Sequence, residues 1–141
     1  MTTSIQKPPV WFWVISVLAL LWNSAGVLAY LGRAFITDDM IAALPEAQQA
    51  EFLVEYPAWY TAAFATAVFG GVIGSILLLV RKKWAHLLFV ISAFGAIIQH
   101  IYLFTNVEMN LAQLVMPILV IVVCLFLIWF AKNSIAKGWI K

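Results

Sequence analysis

Charge is scarce in this chain, and acidic charge is absent from its long apolar runs. Only 10% of the 141 residues are Asp, Glu, Lys or Arg and 65% are hydrophobic, whereas charged residues make up about a quarter of a soluble domain. A water-soluble globular fold is therefore excluded, and a net charge of +2 points to no nucleic-acid partner. Cys124 is the only cysteine, which rules out an intrachain disulfide, a CxxC pair and a multi-cysteine metal site. The only histidines, His86 and His100, would lie about 21 Å apart along one helix, too far to hold a haem between them. No His, Asp and Glu cluster has metal-ligand spacing, and no Ser-His-acid or Cys-His set suggests nucleophilic catalysis. No metal, no cofactor and no enzymatic activity are expected. With no acid inside a span, the usual carrier of coupled protons is missing too.

What the chain has in abundance is apolar sequence in four blocks, each close to the 20 or so residues that cross a bilayer as a helix. Residues 10–32 follow Lys7-Pro8-Pro9, a stiff lead that makes Val10 or Trp11 the natural helix start. This block is too long for a signal-peptide core and is expected to be retained. The other blocks are residues 58–80, 84–104 and 111–131, the last ending at Lys132. The connections "RKK" and "TNVEMN" are so short that neighbouring spans must run antiparallel. The expected fold is an all-α integral membrane protein, a single antiparallel four-helix bundle with a short helical loop over residues 33–57.

Basic residues orient it. With both termini in the cytoplasm, Lys7, Arg81, Lys82, Lys83, Lys132, Lys137 and Lys141 share the inner face and Arg33 alone lies outside, as the positive-inside rule requires. Asp38, Asp39, Glu46, Glu51, Glu55 and Glu108 all fall outside. Trp11, Trp13, Trp59, Trp84 and Trp129 lie near span ends, where aromatic belts form. In the loop, Thr37 or Asp38 can cap one short helix and Pro45-Glu46 can start another. Ile41, Leu44, Phe52, Leu53 and Tyr56 give the loop an apolar side, as expected of an interfacial lid.

Helical arithmetic sorts the faces. In the third block Ala85, Ser92, Gly95, Ala96, Gln99, Leu103 and Asn106 share one side, and Val90, Ile91, Phe94, Ile97, Ile98, Ile101 and Phe104 the other. Small and polar residues should face protein and bulky ones lipid. Gln99 falls centrally on the inward stripe, with His100 about 80° round at its edge. In the first block Ser16, Ala19, Asn23, Gly26 and Tyr30 form a similar stripe. In the second, Ala62, Thr66, Gly70 and Gly74 lie beside Ala63, Ala67, Gly71 and Ser75 as two ridges of small residues. Such ridges let helix backbones approach closely, whether within one chain or between two. Cys124 reads as a small packing residue, and Pro117 as a break in the fourth helix that frees a carbonyl near Gln113.

Asn23, Tyr30, Gln99, His100, Asn106 and Gln113, with Tyr102, Glu108 and Asn110, lead from mid-span towards the outer surface. Two readings follow. One is a site for a small polar solute in the outer half of the bundle, for binding or transport. The other is an accessory or oligomerising subunit that packs through Gly70, Gly71, Gly74 and Ser75, with Gly26 and Gly95 at the other helix contacts, against a second copy or another membrane protein.

The runs "KPPVWFWVISVLALLWNSAGVLAYLG", "PAWYTAAFATAVFGGVIGSILLLVRKKWA" and "AKGWIK" resemble a family of small bacterial four-span inner-membrane proteins, over nearly the whole chain. Members sometimes carry an automatic sugar-transporter label. The resemblance implies a multi-pass location in the bacterial inner membrane and solute binding, and it brings no functional residues with it. The chain departs from other small membrane families. It has no acid in the first span, unlike small multidrug transporters, and no CxxC, unlike quinone-linked thiol oxidoreductases. The PQ-loop sugar carriers have an odd number of spans per repeat.

Overall fold

The computed structural model describes residues 7–53, 56–106 and 110–141. Glu55 and Glu108, and the side chains of Glu51 and Leu53, lie outside the described residues. The chain is all-helical, with no strand among the described residues: α1 (Val10–Ala34), α2 (Asp38–Ala42), α3 (Glu46–Leu53), α4 (Ala58–Leu79), α5 (Trp84–Asn106) and α6 (Leu111–Ala136). Helices α1, α4, α5 and α6 are each long and apolar enough to cross a membrane. They pack in the order α1, α4, α5, α6 as a four-helix bundle, and the chain is a multi-pass membrane protein.

Local chemistry sets most helix ends. Pro9 precedes α1 and Pro57 precedes α4, positions where a missing N–H costs nothing. The Thr37 hydroxyl accepts from the Met40 N–H to cap α2, and the Pro45 carbonyl accepts from Gln48 and Gln49 at the start of α3. At α6, Asn110 and Gln113 form a reciprocal capping box. Helix α6 continues through Pro117 and past Lys132 to Ala136. The polar residues beyond Lys132 do not end it, and the buried Ser134 hydroxyl is satisfied within the helix by the Phe130 carbonyl at 2.8 Å. It stops at Gly138, whose φ of 74° suits a residue without a Cβ.

The closest helix pair is α4 with α5. A Cβ on Gly95 would lie 2.7 Å from the Ala63 carbonyl oxygen and 3.1 Å from the Ala67 nitrogen. The backbones are already in contact there, and Ser92 uses the proximity to donate its hydroxyl proton to the Ala67 carbonyl. Gly70 faces Ser92 and Gly74 faces Phe89, both on α5, while Gly71 faces Asn23 of α1 and Gly26 faces Val68 of α4. The glycines of the two α4 ridges are therefore occupied inside the chain, while Ala62 and Thr66 at the loop end of one ridge are exposed.

The apolar core lies at the basic end. Phe12, Leu78, Ala85, Phe89, Leu127 and Phe130 pack there with Trp139 and Ile140, which follow α6 and fold back over the end of the bundle. Trp139 contacts Trp11 at 5.0 Å and Phe12 at 5.9 Å between ring centroids, and Phe12 stacks on Phe130 at 5.7 Å. Helix α1 meets the α6 chain through these rings. At the opposite end the N-terminal half of α6 is largely exposed, including Leu111, Val115, Met116 and Ile118.

Candidate functional site at the loop end

A cavity of about 240 Å³ lies where α1 and α4 meet beneath the loop, lined by Tyr30, Arg33, Ala34, Tyr56, Tyr60, Thr61 and Phe64. Helical spacing builds it. Tyr30, Arg33 and Ala34 close the last turn of α1. Tyr56, Tyr60 and Phe64 stand four residues apart, so they line one face as the chain enters α4. Tyr56 stacks on Tyr60 at 4.3 Å and 19°, and Tyr102 of α5 packs against Tyr60 at 5.3 Å and against Tyr56 at 5.9 Å. Tyr30 rests on Phe64 at 5.5 Å.

The walls are ring faces and the polar groups lie among them. The Arg33 guanidinium sits 4.3 Å from the Tyr56 ring centre and 5.2 Å from that of Phe52 on α3, a cation–π pairing that ties the loop to the end of α1. Tyr60 is buried, and its hydroxyl accepts from Gln99 Nε2 at 3.2 Å. Gln99 thus orients a cavity-lining phenol from the neighbouring helix.

The polar residues picked out along the sequence occupy different places. Tyr30 lines the cavity and Gln99 reaches it through Tyr60. Asn23 lies deeper, donating to the Ala19 carbonyl at 2.8 Å and to the Ser75 hydroxyl at 3.4 Å, with its side chain against Gly71. His100 is buried at 6% exposure, as deeply as Gln99 at 7%, which corrects the expectation of a boundary residue. Helix α5 packs against α6 as well as α4, so its covered surface is not confined to the stripe centred on Gln99. The ring donates Nδ1–H to the Ala96 carbonyl at 2.6 Å, within its own helix. Asn106 bonds the Tyr102 carbonyl and the Thr105 hydroxyl, and Gln113 is engaged in the α6 cap.

Arg33, Tyr56, Tyr60, Thr61 and Phe64 were not read as site residues from the sequence. The fourfold spacing of Tyr56, Tyr60 and Phe64 is the signal the sequence offers for them. A second, larger hollow of about 490 Å³ runs along α4 and α5 between Trp59, Ala62, Thr66, Ile91, Phe94 and Ile98. Its one hydroxyl, on Thr66, is turned back to the Ala62 carbonyl, so it offers a solute little beyond apolar contact. Among the described residues no group of three or more His, Cys, Asp or Glu is placed to hold a metal. Comparison with known proteins finds no matching family model, no matching curated protein and no matching solved structure.

Proposed function

We propose that the protein binds a small polar solute in the cavity at the loop end. The observation that carries this reading is one 240 Å³ space whose lining combines the polar residues Tyr30, Arg33, Tyr60 and Thr61 with aromatic rings. Concave, mostly apolar sites with a few convergent polar groups are the usual form of a small-ligand site. Hydroxyls and a guanidinium suit a compact solute rich in hydroxyl or carboxylate oxygens. The basic end favours binding from the loop side alone, since Phe12, Phe130 and Trp139 fill it and transport would require those rings to part. In this reading the protein sits in a bacterial inner membrane with Lys7, Arg81 to Lys83 and Lys141 in the cytoplasm, and it catalyses no reaction.

The accessory-subunit reading has less support. It relies on the small residues of α4, and Gly70, Gly71 and Gly74 already meet α5 and α1.

The test is a fluorescence titration of the purified protein with a neutral hexose and with a sugar acid of the same size. Saturable binding of either, weakened by Tyr60→Phe and by Thr61→Val in a protein that stays folded, is the expected result. No saturable response to either probe, or binding that both variants leave unchanged, overturns the proposal.

A further inference from the structure

Two helix ends meet at the basic end. After α4, Arg81 adopts a left-handed conformation with φ of 60°, and Lys82 N–H returns to the Leu77 carbonyl at 2.8 Å. After α6, Gly138 does the same with φ of 74°, and Trp139 N–H returns to the Ser134 carbonyl at 2.9 Å. Both are Schellman-type ends. They are joined to each other: Lys141 N–H donates to the Arg81 carbonyl at 3.0 Å and Lys83 N–H to the Lys141 carbonyl at 3.0 Å. Arg81 Nε donates to the Trp139 carbonyl at 2.7 Å. Burial of Trp139 and Ile140 holds the join in place.

This clasp gathers charge. Lys82, Lys83 and Lys141 are all exposed, and their backbones are pinned within one small hydrogen-bonded patch, although Lys141 is far from the others in sequence. Arg81 serves the clasp itself through its bond to Trp139. The six acidic side chains lie in residues 38–55 or at Glu108, none of them closer than 25 positions in sequence to Arg81 to Lys83 or to Lys141. Like charges gathered on one patch repel, and an anion shared by several lysines relieves the repulsion. The patch directly follows the apolar part of α4 and precedes exposed Trp84, which puts it at the level where lipid phosphates lie.

We propose that Lys82, Lys83 and Lys141 form a binding site for the phosphate of an anionic phospholipid, assembled by the clasp. Each ammonium acts as a compact charge on a phosphate oxygen. The site is separate from the solute cavity and depends only on the chain's residence in a membrane.

The experiment is native mass spectrometry of the full chain released from micelles holding equal phosphatidylglycerol and phosphatidylcholine with the same acyl chains. Preferential retention of phosphatidylglycerol is expected, falling about fivefold for each lysine replaced in Lys82→Gln, Lys83→Gln and Lys141→Gln combinations, the scale of one basic group at an anionic surface. The three exposed side chains make no contact that the fold needs, and the matching Lys→Arg set should retain the preference. Equal retention of both lipids overturns the proposal, as does an unchanged preference in the triple Gln variant. It also fails if Lys7→Gln with Lys132→Gln, outside the clasp, lowers the preference as much. Displacement of phosphatidylglycerol by millimolar inorganic phosphate would assign the patch to the free ion and overturn the lipid as its ligand.

Discussion

The two ends of this bundle are built in opposite ways. At the basic end, chain segments from α1, α4, α5 and α6 close on a set of fully buried rings, and the residues after α6 fold back to complete the seal. At the loop end, α1 and α4 leave a space between them that tyrosines line but do not fill. The contrast follows from side-chain chemistry. Phe12 and Phe130 carry no polar atom, so they can be stacked without any need for a partner. Tyr60 carries a hydroxyl that must be satisfied when buried, so the loop end recruits Gln99 and stays partly polar. Dense packing suits a seal and convergent hydroxyls suit a site.

The largest expected effect lies in the seal. Phe130→Ala removes a ring at 0% exposure and should cost about 3–5 kcal/mol of stability, the usual range for a buried Phe. Denaturation by sodium dodecyl sulfate, followed by circular dichroism, measures it. Solute affinity in the fraction that remains folded should stay unchanged, and a large affinity loss would mean that the two ends are coupled.

Gly95→Ala addresses what keeps the halves together. Its Cβ would meet backbone rather than a flexible side chain, so α4 and α5 must separate, at about 1–3 kcal/mol in the same assay. Because Gln99 lies one turn further along α5, solute affinity should fall as well. Gly71→Ala provides the contrast, since the atom it meets belongs to the Asn23 side chain, which can rotate away. It should cost less than Gly95→Ala, and the reverse order would show that Asn23 is held rigidly.

A smaller effect is expected at Gly138. Substitution by Ala places a Cβ on a backbone with φ of 74° and should cost about 1–2 kcal/mol, seen as a lower Tm. The smallest stability effect should come from Gln99→Leu, which removes the interhelical bond to Tyr60 and costs about 0.6 kcal/mol, the mean for such bonds in membranes. It should weaken solute binding all the same, because the Tyr60 hydroxyl loses the group that orients it. A variant that loses stability while solute affinity stays intact would make Gln99 a packing residue.

Much of this architecture could be read from residues in order. Four apolar runs with charged breaks determine four long helices, because a bilayer offers backbone groups no partner except their own helix. Pro9, Thr37, Pro45 and Pro57 mark helix starts through rules that act within one turn. The inward stripe of α5 is legible over most of its length, with Ser92, Gly95, Ala96 and Gln99 buried and Phe94 and Ile101 exposed, since a helix repeats its faces every 3.6 residues. It fails at the helix end, where Asn106 is exposed because no helix among the described residues covers the last turn. The site was only partly legible. Tyr30 and Gln99 stand out as polar groups in apolar runs, whereas Tyr56 reads as part of the apolar side of the loop and Tyr60 carries no signal of its own.

What the sequence determined by itself is the membrane class, the span count and the helix faces, all consequences of local periodicity and of hydrocarbon as a solvent. Only the tertiary structure decided which covered face meets which neighbour. It buried His100 beside Gln99 on a helix that packs against both α4 and α6, and it set Tyr60 beside Gln99 across 39 positions of chain. It also brought residues 138–141 onto the turn after α4. Those pairings depend on how several helices fill space together, and no period along one helix encodes them.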